Sequence, residues 1–200
     1  MAEILTVFDR NMNVKGEKER SLVHLDGDWH ETFHCWLFEE KGNETYVYFQ
    51  KRAENKKEFP GLFDITAAGH VEAGESVLSA GVREVKEEIG TTVDEKDLIN
   101  MGMFQEELIS STLIDREICN VYMLSILEKL EFIIGEEVTD IIKINLRDWE
   151  RLLDDDCTCI NGTSVLNEKK LSLRKDDFVP HEEDYYRFII TQIAKNVEKL

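Results

Sequence analysis

A loop rich in glycine that leads into a helix with an acidic face constrains this chain more than any other feature. Across residues 76–89 apolar side chains recur at helical spacing, and Gly90 follows as a C-terminal stop. Glu84 and Glu88 are four residues apart and Glu87 lies three residues after Glu84, so the spacing predicts all three carboxylates near one helix face. Such close like charges repel one another unless a cation neutralises them.

Converging carboxylate oxygens are suitable ligands for Mg²⁺ or Mn²⁺, which keep several waters and accept further oxygens from phosphate groups. We expect Glu75 and the Gly69 carbonyl to complete the ligand set from the loop. Arg83 lies four residues before Glu87 and can orient that carboxylate through an ion pair. The alternative is a solvated acidic surface helix, but that interpretation does not explain the glycine-rich loop.

The segment resembles the signature of the Nudix family, G-x5-E-x7-R-E-U-x-E-E-x-G-U, where U is a bulky aliphatic residue. The fixed positions are matched by Gly69, Glu75, Arg83, Glu84, Glu87, Glu88 and Gly90, and Thr91 departs from the last aliphatic position. The resemblance implies an α+β fold, an α/β/α sandwich with a mixed sheet and a loop–helix–loop catalytic motif. It also implies Glu84 and Glu88 as metal ligands, Glu87 as ligand or base, and attack of water on phosphorus.

Residues 1–150 also resemble isopentenyl-diphosphate isomerases, which belong to the Nudix superfamily, and the similarity includes residues 50–61. In that resemblance basic side chains of this segment hold a diphosphate, and the corresponding residues here are Lys51, Arg52, Lys56 and Lys57. They oppose a net charge of -18 over the whole chain. The alternative is a solvated hairpin edge.

The isomerases also bind a metal through histidines. The resemblance implies a second metal site at His24, His30 and His70, with Asp115 and Glu117 as a downstream acidic pair. The alternative is that these histidines are surface residues or hydrogen-bonded structural residues.

Two features distinguish hydrolysis from isomerisation. Ala68 stands where the isomerases carry the cysteine that transfers a proton to carbon, and alanine has no ionisable group. The isomerases also degrade the Nudix signature, whereas this sequence keeps its carboxylates. We therefore expect hydrolysis, with Glu117 as a candidate base from outside the signature and Glu106 and Glu107 as its competitors.

The predicted reaction is divalent-metal-dependent hydrolysis of a diphosphate linkage in a nucleoside diphosphate derivative. Candidate substrates are nucleoside di- or triphosphates, nucleotide sugars and dinucleotides. One alternative is an isoprenoid-diphosphate hydrolase or an isomerase-like enzyme. Another is a non-catalytic ligand-sensing Nudix module, because a fold can be retained after its chemistry is lost.

The strongly acidic charge disfavours a long nucleic acid as partner, and a small-molecule diphosphate needs local cations to bind. We find no apolar run near the roughly 18 residues that a membrane span requires, and we expect a cytoplasmic protein with no membrane partner. A homodimer is an expectation from the family. Phe59, Phe63, Trp36 and Phe104 are candidates either for a substrate pocket or for the core.

We predict a single domain over residues 1–200, with a core at about 1–153 and a C-terminal loop and docked helix at 154–200. Strands are predicted at residues 4–8, 33–38, 46–49, 62–65, 99–108, 118–127 and 138–144. Further helices are predicted at residues 146–153 and 182–197. Residues 67–70 and 154–164 are predicted to be loops.

Overall fold

The computed structural model describes residues 2–109, 114–126 and 130–197. A mixed sheet lies at its centre. Its strands are β1 (Ile4–Phe8), β2 (Val14–Glu19), β3 (Trp29–Lys41), β4 (Glu44–Arg52), β5 (Phe63–Ile65), β6 (Ala67–His70), β7 (Ile99–Ile109), β8 (Ile114–Ser125), β9 (Val138–Asn145), β10 (Ile160–Ser164) and β11 (Lys170–Leu173). The helices are α1 (Arg20–Asp26), α2 (Val77–Ile89), α3 (Leu146–Leu153) and α4 (Glu183–Val197).

The long strand β3 organises the sheet because both of its edges are paired. One edge runs parallel to β8, from Trp29 beside Arg116 to Phe38 beside Ser125. The other edge pairs in turn with β1, β6 and β4, all antiparallel. Every strand that carries a predicted site residue is therefore β3 itself or is within two strands of it in the sheet.

Alternate side chains of β3 enter two separate cores, as the period of a strand requires. Phe33 and Leu37 pack with α2 on one face of the sheet. Trp36 and Phe38 pack on the other face, in a cluster that includes Trp149 of α3 and residues of α4. Helices therefore cover both faces of a mixed sheet, which confirms the predicted three-layer α/β/α sandwich of the α+β class. None of the helices in the described residues has the length and apolar composition needed to cross a bilayer.

The locally patterned helices are close to their predicted bounds. α3 is observed at the predicted residues, α2 begins one residue later because Ser76 is its N-cap, and α4 begins at Glu183. The predicted hairpin is also present, and its turn lies at Gly42, whose φ of 65° favours glycine. β8 ends at Ser125, and the predicted end of this strand at residue 127 lies outside the described residues.

Two loop predictions are wrong. Residues 67–70 form β6, which pairs with β3 from Cys35 beside Ala67 to Thr32 beside His70. The second predicted loop ends in β10, which pairs with β9 and β11. In both segments small or polar residues conceal strands that depend on pairing with distant parts of the chain. β2 and α1 were not predicted, because their sequences show little apolar periodicity.

Replacement of Gly81 by alanine tests the packing of α2 on the sheet. A methyl group at Gly81 would overlap the ring of Phe33. A helical Gly→Ala change normally stabilises by about 0.5–1 kcal/mol, but overpacking costs about 1–3 kcal/mol. We expect G81A to lower the free energy of unfolding in urea, whereas K86A, at an exposed position of the same helix, leaves it nearly unchanged. A stabilised G81A would contradict the close packing.

Candidate functional site

The signature helix α2 is capped at both ends, which sets the residues at which it begins and ends. The Ser76 side chain accepts a hydrogen bond from the Ser79 backbone N–H at 3.1 Å. At the other end Gly90 has a φ of 70° and its N–H donates to the Lys86 carbonyl. The close packing of Gly81 against Phe33 of β3 then determines which face of the helix meets the sheet.

Glu88 is buried beneath β6 rather than exposed to solvent. Its Oε2 accepts hydrogen bonds from the Ala68 backbone N–H and the Gln50 side-chain amide, both at 2.9 Å. Burial raises the pKa of Glu88 to about 8 and that of Glu84 to about 7. A methyl group at Gly69 would overlap the Glu84 carboxylate, so glycine is required for this approach.

Arg83 binds the loop, the helix and β6 together. Its guanidinium donates to Glu84 at 2.6 Å and to both oxygens of Glu75 at 3.2 and 3.1 Å. It also donates to the His70 carbonyl at 3.1 Å. The predicted pair with Glu87 is present, but at 3.4 Å it is the longest of these contacts. Arg83 therefore orients more carboxylates than the helical spacing alone indicates.

The three predicted histidines form a compact cluster. The ring centroids of His24, His30 and His70 are 5.1–5.4 Å apart. One candidate ligand atom from each lies within 4.8 Å of the others, and His30, Asp115 and Glu117 satisfy the same criterion. α1, β3, β6 and β8 thus bring together five side chains from distant parts of the sequence.

The donor set of this cluster fits a metal cation. His30 Nδ1 donates to the Asp28 carbonyl at 3.2 Å, which leaves Nε2 as the nitrogen able to bind a metal. His30 Nε2, both His24 nitrogens and Asp115 Oδ1 are buried without a hydrogen-bond partner in the described part of the chain. Asp115 Oδ1 lies 3.3 and 3.5 Å from the rings of His24 and His30. Buried polar atoms without partners are costly, and a shared cation would satisfy all of them.

Glu3 belongs to the site, although no sequence pattern identified it. It lies 3.1 Å from His70 Nδ1. Burial raises the pKa of Glu3, but the hydrogen bond and charge of His70 oppose this and the pKa is about 2. A carboxylate on Nδ1 leaves Nε2 of His70 available to a metal. Because Arg83 donates to the His70 carbonyl and to Glu84, the histidine cluster and the signature carboxylates are neighbours.

The three candidate bases differ in their surroundings. Glu117 accepts hydrogen bonds from His34 at 3.1 Å and Thr32 at 3.3 Å. Burial raises the pKa of Glu117, but the hydrogen bond from His34 and the electrostatic influence of the neighbouring histidines together outweigh this, and the pKa is lowered. Its competitors are held in ion pairs, Glu106 with His181 at 2.8 Å and Glu107 with Arg116 at 2.8 Å.

The four basic side chains within residues 50–61 differ in how strongly they already contact neighbouring protein groups. Arg52 donates to Asp64 at 2.8 Å and to the Glu58 carbonyl, so its guanidinium holds the segment in place. Lys56 contacts Glu137 at 2.5 Å. Lys57 is 91% exposed, and Lys51 is half-buried.

A cavity of about 400 Å³ lies beside this segment. Its walls include Phe59 from the segment, Leu62 directly after it, Trp149 from α3, Tyr186 from α4, and His181. Of the four aromatic candidates from the sequence, Phe59 lines this cavity, and the others belong to the core or pack against it.

A loop–helix–loop carboxylate motif on a three-layer sandwich defines a class of fold that known proteins share. A MutT/nudix family protein from Enterococcus faecalis has a TM-score of 0.57 at 16% identity, over 84% of this chain and 62% of its own. A structure from Deinococcus radiodurans has a TM-score of 0.56 at 19% identity, over 92% of this chain and 98% of its own. These likenesses establish the fold.

Residues 28–148 match the NUDIX domain family. An uncharacterized Nudix hydrolase of Clostridium acetobutylicum is 40% identical over 197 residues, which cover 94% of this chain and 95% of that protein. An isopentenyl-diphosphate Delta-isomerase 2 of Photorhabdus laumondii is 28% identical over 155 residues, or 78% and 84% of the two chains. The chain belongs to the Nudix hydrolase family.

The raised pKa of Glu88 predicts how the metal-free protein responds to pH. Because the folded state holds a proton on Glu88 that the unfolded state loses above about pH 4.5, stability falls as pH rises from there to about 8. We expect the melting temperature in EDTA to decrease over this range, and E88Q to flatten the decrease. E40Q, at an exposed position, serves as the control. An E88Q profile parallel to wild type would contradict the prediction.

Proposed function

We propose that this protein hydrolyses a phosphoanhydride bond of a small-molecule diphosphate with Mg²⁺ or Mn²⁺, and that the substrate is a nucleoside diphosphate derivative. The observation that carries the proposal is the buried carboxylate of Glu88 beside the partly buried carboxylate of Glu84, with pKa values raised to about 8 and about 7. A divalent cation compensates for the burial of these charges, and Nudix family membership agrees with that chemistry.

We assign the cation ligands to Glu84 and Glu88, with Glu75, Glu87 and the Gly69 carbonyl as further oxygen donors. A bound divalent cation neutralises diphosphate oxygens and lowers the pKa of a coordinated water. Arg83 orients Glu75 and Glu84 through the hydrogen bonds described above. The side chain of Glu87 is 60% exposed at the helix surface, so a cation or a water molecule can reach it. Within this proposal Glu87 therefore acts as a further ligand or as the base.

The basic segment would bind the diphosphate and the neighbouring cavity the organic group. Lys57 and Lys51 are available for phosphate contacts, Lys56 would exchange its contact with the exposed Glu137, and Arg52 supports the segment from behind. The cavity of about 400 Å³ has aromatic walls, a property suited to stacking a nucleobase. These two features favour a nucleoside diphosphate derivative.

The histidine cluster would hold a second cation. Three imidazoles with Asp115 and Glu117 offer mixed nitrogen and oxygen donors, which favour Mn²⁺ or another transition metal over Mg²⁺. This cluster and the likeness to isomerases favour a second candidate, an isoprenoid-diphosphate enzyme. Ala68 opposes isomerisation, since no proton can be transferred by its methyl group.

A substrate panel tests the reaction. Wild-type protein with Mg²⁺ or Mn²⁺ is assayed for phosphate and organic products on nucleotides, nucleotide sugars, dinucleotides and isoprenoid diphosphates. We expect turnover of a nucleoside diphosphate derivative and its loss by about 10²-fold or more in E88Q, as for removal of one electrostatic stabiliser. E40Q retains wild-type activity. Isomerisation without phosphate release would favour the second candidate, and binding without turnover would favour a sensing module.

Metal analysis tests the histidine centre separately. We expect H24A and H70A each to reduce tightly bound Mn²⁺ by one equivalent, because each removes a nitrogen ligand. E40Q, at an exposed position outside both centres, is the control and should keep the wild-type stoichiometry. Unchanged stoichiometry in both histidine variants, measured by elemental analysis after gel filtration, would refute the second metal site.

A further inference from the structure

Glu117 is connected to helix α4 by a buried chain of hydrogen bonds outside the Nudix signature. Trp36 Nε1 lies 3.1 Å from the Tyr185 hydroxyl, which lies 2.7 Å from His34 Nδ1, and His34 Nε2 lies 3.1 Å from Glu117 Oε2. Trp36 and Tyr185 are fully buried, and 2% of His34 is exposed. The direction of each bond can be deduced from the donors and acceptors that each group possesses.

The indole nitrogen of Trp36 can only donate, so the Tyr185 oxygen accepts this hydrogen bond. The Tyr185 hydroxyl proton must then find an acceptor, and His34 Nδ1 is within 2.7 Å. Burial raises the pKa of Tyr185 well above its usual value, so the phenol keeps this proton. Since Nδ1 accepts, the neutral imidazole carries its proton on Nε2 and donates it toward Glu117.

We infer that His34 and Tyr185 are positioning residues: they fix the Nε2–H tautomer of His34, which holds Glu117 in orientation for the histidine metal centre. The inference rests on the proposed metal at that centre. Thr32 also contacts Glu117 Oε2 at 3.3 Å, so hydrogen bonds restrain one carboxylate oxygen. The carboxylate keeps further lone pairs for the side on which His30 and Asp115 lie. Hydrogen bonds to a ligating carboxylate are a known means of setting metal affinity.

The same arrangement opposes a different use of His34. Atoms of His34, Glu117 and Cys119 also lie within 4.8 Å of one another and could surround a cation. A metal at His34 Nε2 would require that nitrogen to be unprotonated, contrary to the hydrogen bonding of Nδ1.

The two adjacent tyrosines of α4 provide a matched pair of variants. Tyr185 contacts His34, whereas the buried Tyr186 donates its hydroxyl to the Val179 carbonyl at 2.7 Å and does not contact His34 through this hydroxyl. Y185F and Y186F therefore each remove one buried hydroxyl from the same helix. Thermal unfolding of both variants measures the structural cost that they share.

The first measurement is nitrogen NMR of the metal-free protein labelled at histidine. We expect His34 as the Nε2–H tautomer in wild type and Y186F, and a loss of this fixed tautomer in Y185F. The second is titration with Mn²⁺ followed by electron paramagnetic resonance. We expect Y185F to lower the Mn²⁺ affinity of the histidine centre, identified by its loss in H24A, by about 10–100-fold. The Mn²⁺ affinity of Y186F should equal that of wild type. H34Q, whose amide can still donate to Glu117, should retain more affinity than H34A.

Equal Mn²⁺ affinities of Y185F and Y186F, with binding still sensitive to H24A, would overturn the inference and leave the proposed metal centre intact. A proton on Nδ1 of His34 in wild type would also overturn it. Mn²⁺ binding that does not depend on His24 would refute the centre itself, and with it the role of His34.

Discussion

The pairing of β3 with β6 on one edge and with β8 on the other is the constraint on which both candidate centres depend. His30 lies beside Glu117 in the parallel register, and Thr32 lies beside His70 in the antiparallel register. A slip of one residue would turn each side chain to the opposite face of the sheet. The apolar residues Phe33 and Leu37, buried in one core, and Trp36, buried in the other, oppose such a slip.

Burial of the signature carboxylates opposes stability unless a cation compensates. Glu88 contacts the Ala68 N–H and the Gln50 amide, yet its pKa remains raised because these hydrogen bonds do not replace the lost hydration. Gly69 allows Glu84 to approach the sheet at a position where any side chain would collide. The acids of α2 can therefore pack against the sheet only because β6 carries small residues at these positions.

Local features of the sequence predicted most of what depends on neighbouring residues. The spacing of α2 correctly grouped Glu84 and Glu88, which both meet β6, whereas Glu87 is exposed at the helix surface. The apolar pattern of α3 predicted its bounds. The failures are non-local. Residues 67–70 read as a loop because two alanines and a glycine have little strand propensity, yet pairing with β3 makes them a strand.

The same reason explains why Glu3 and Tyr185 were missed as parts of the site. Each acts through a histidine far away in the chain, Glu3 through His70 and Tyr185 through His34. No spacing rule connects such pairs. The histidine cluster was suggested by resemblance to the isomerases, since its ligands lie on four separate elements and share no periodicity.

The C-terminal segment contributes polar contacts as well as an apolar face. His181 lies between Asp64 at 2.9 Å and Glu106 at 2.8 Å. Burial would lower the pKa of His181, but the two carboxylates raise it to about 10, so the ring stays charged at neutral pH. Asp64 also binds Arg52 of the basic segment. The start of α4 is therefore linked through ionic contacts to the proposed diphosphate site, in addition to its link with Glu117 through Tyr185. Neither link involves the Nudix signature, so the C-terminal segment contacts the proposed sites by a route separate from the signature carboxylates.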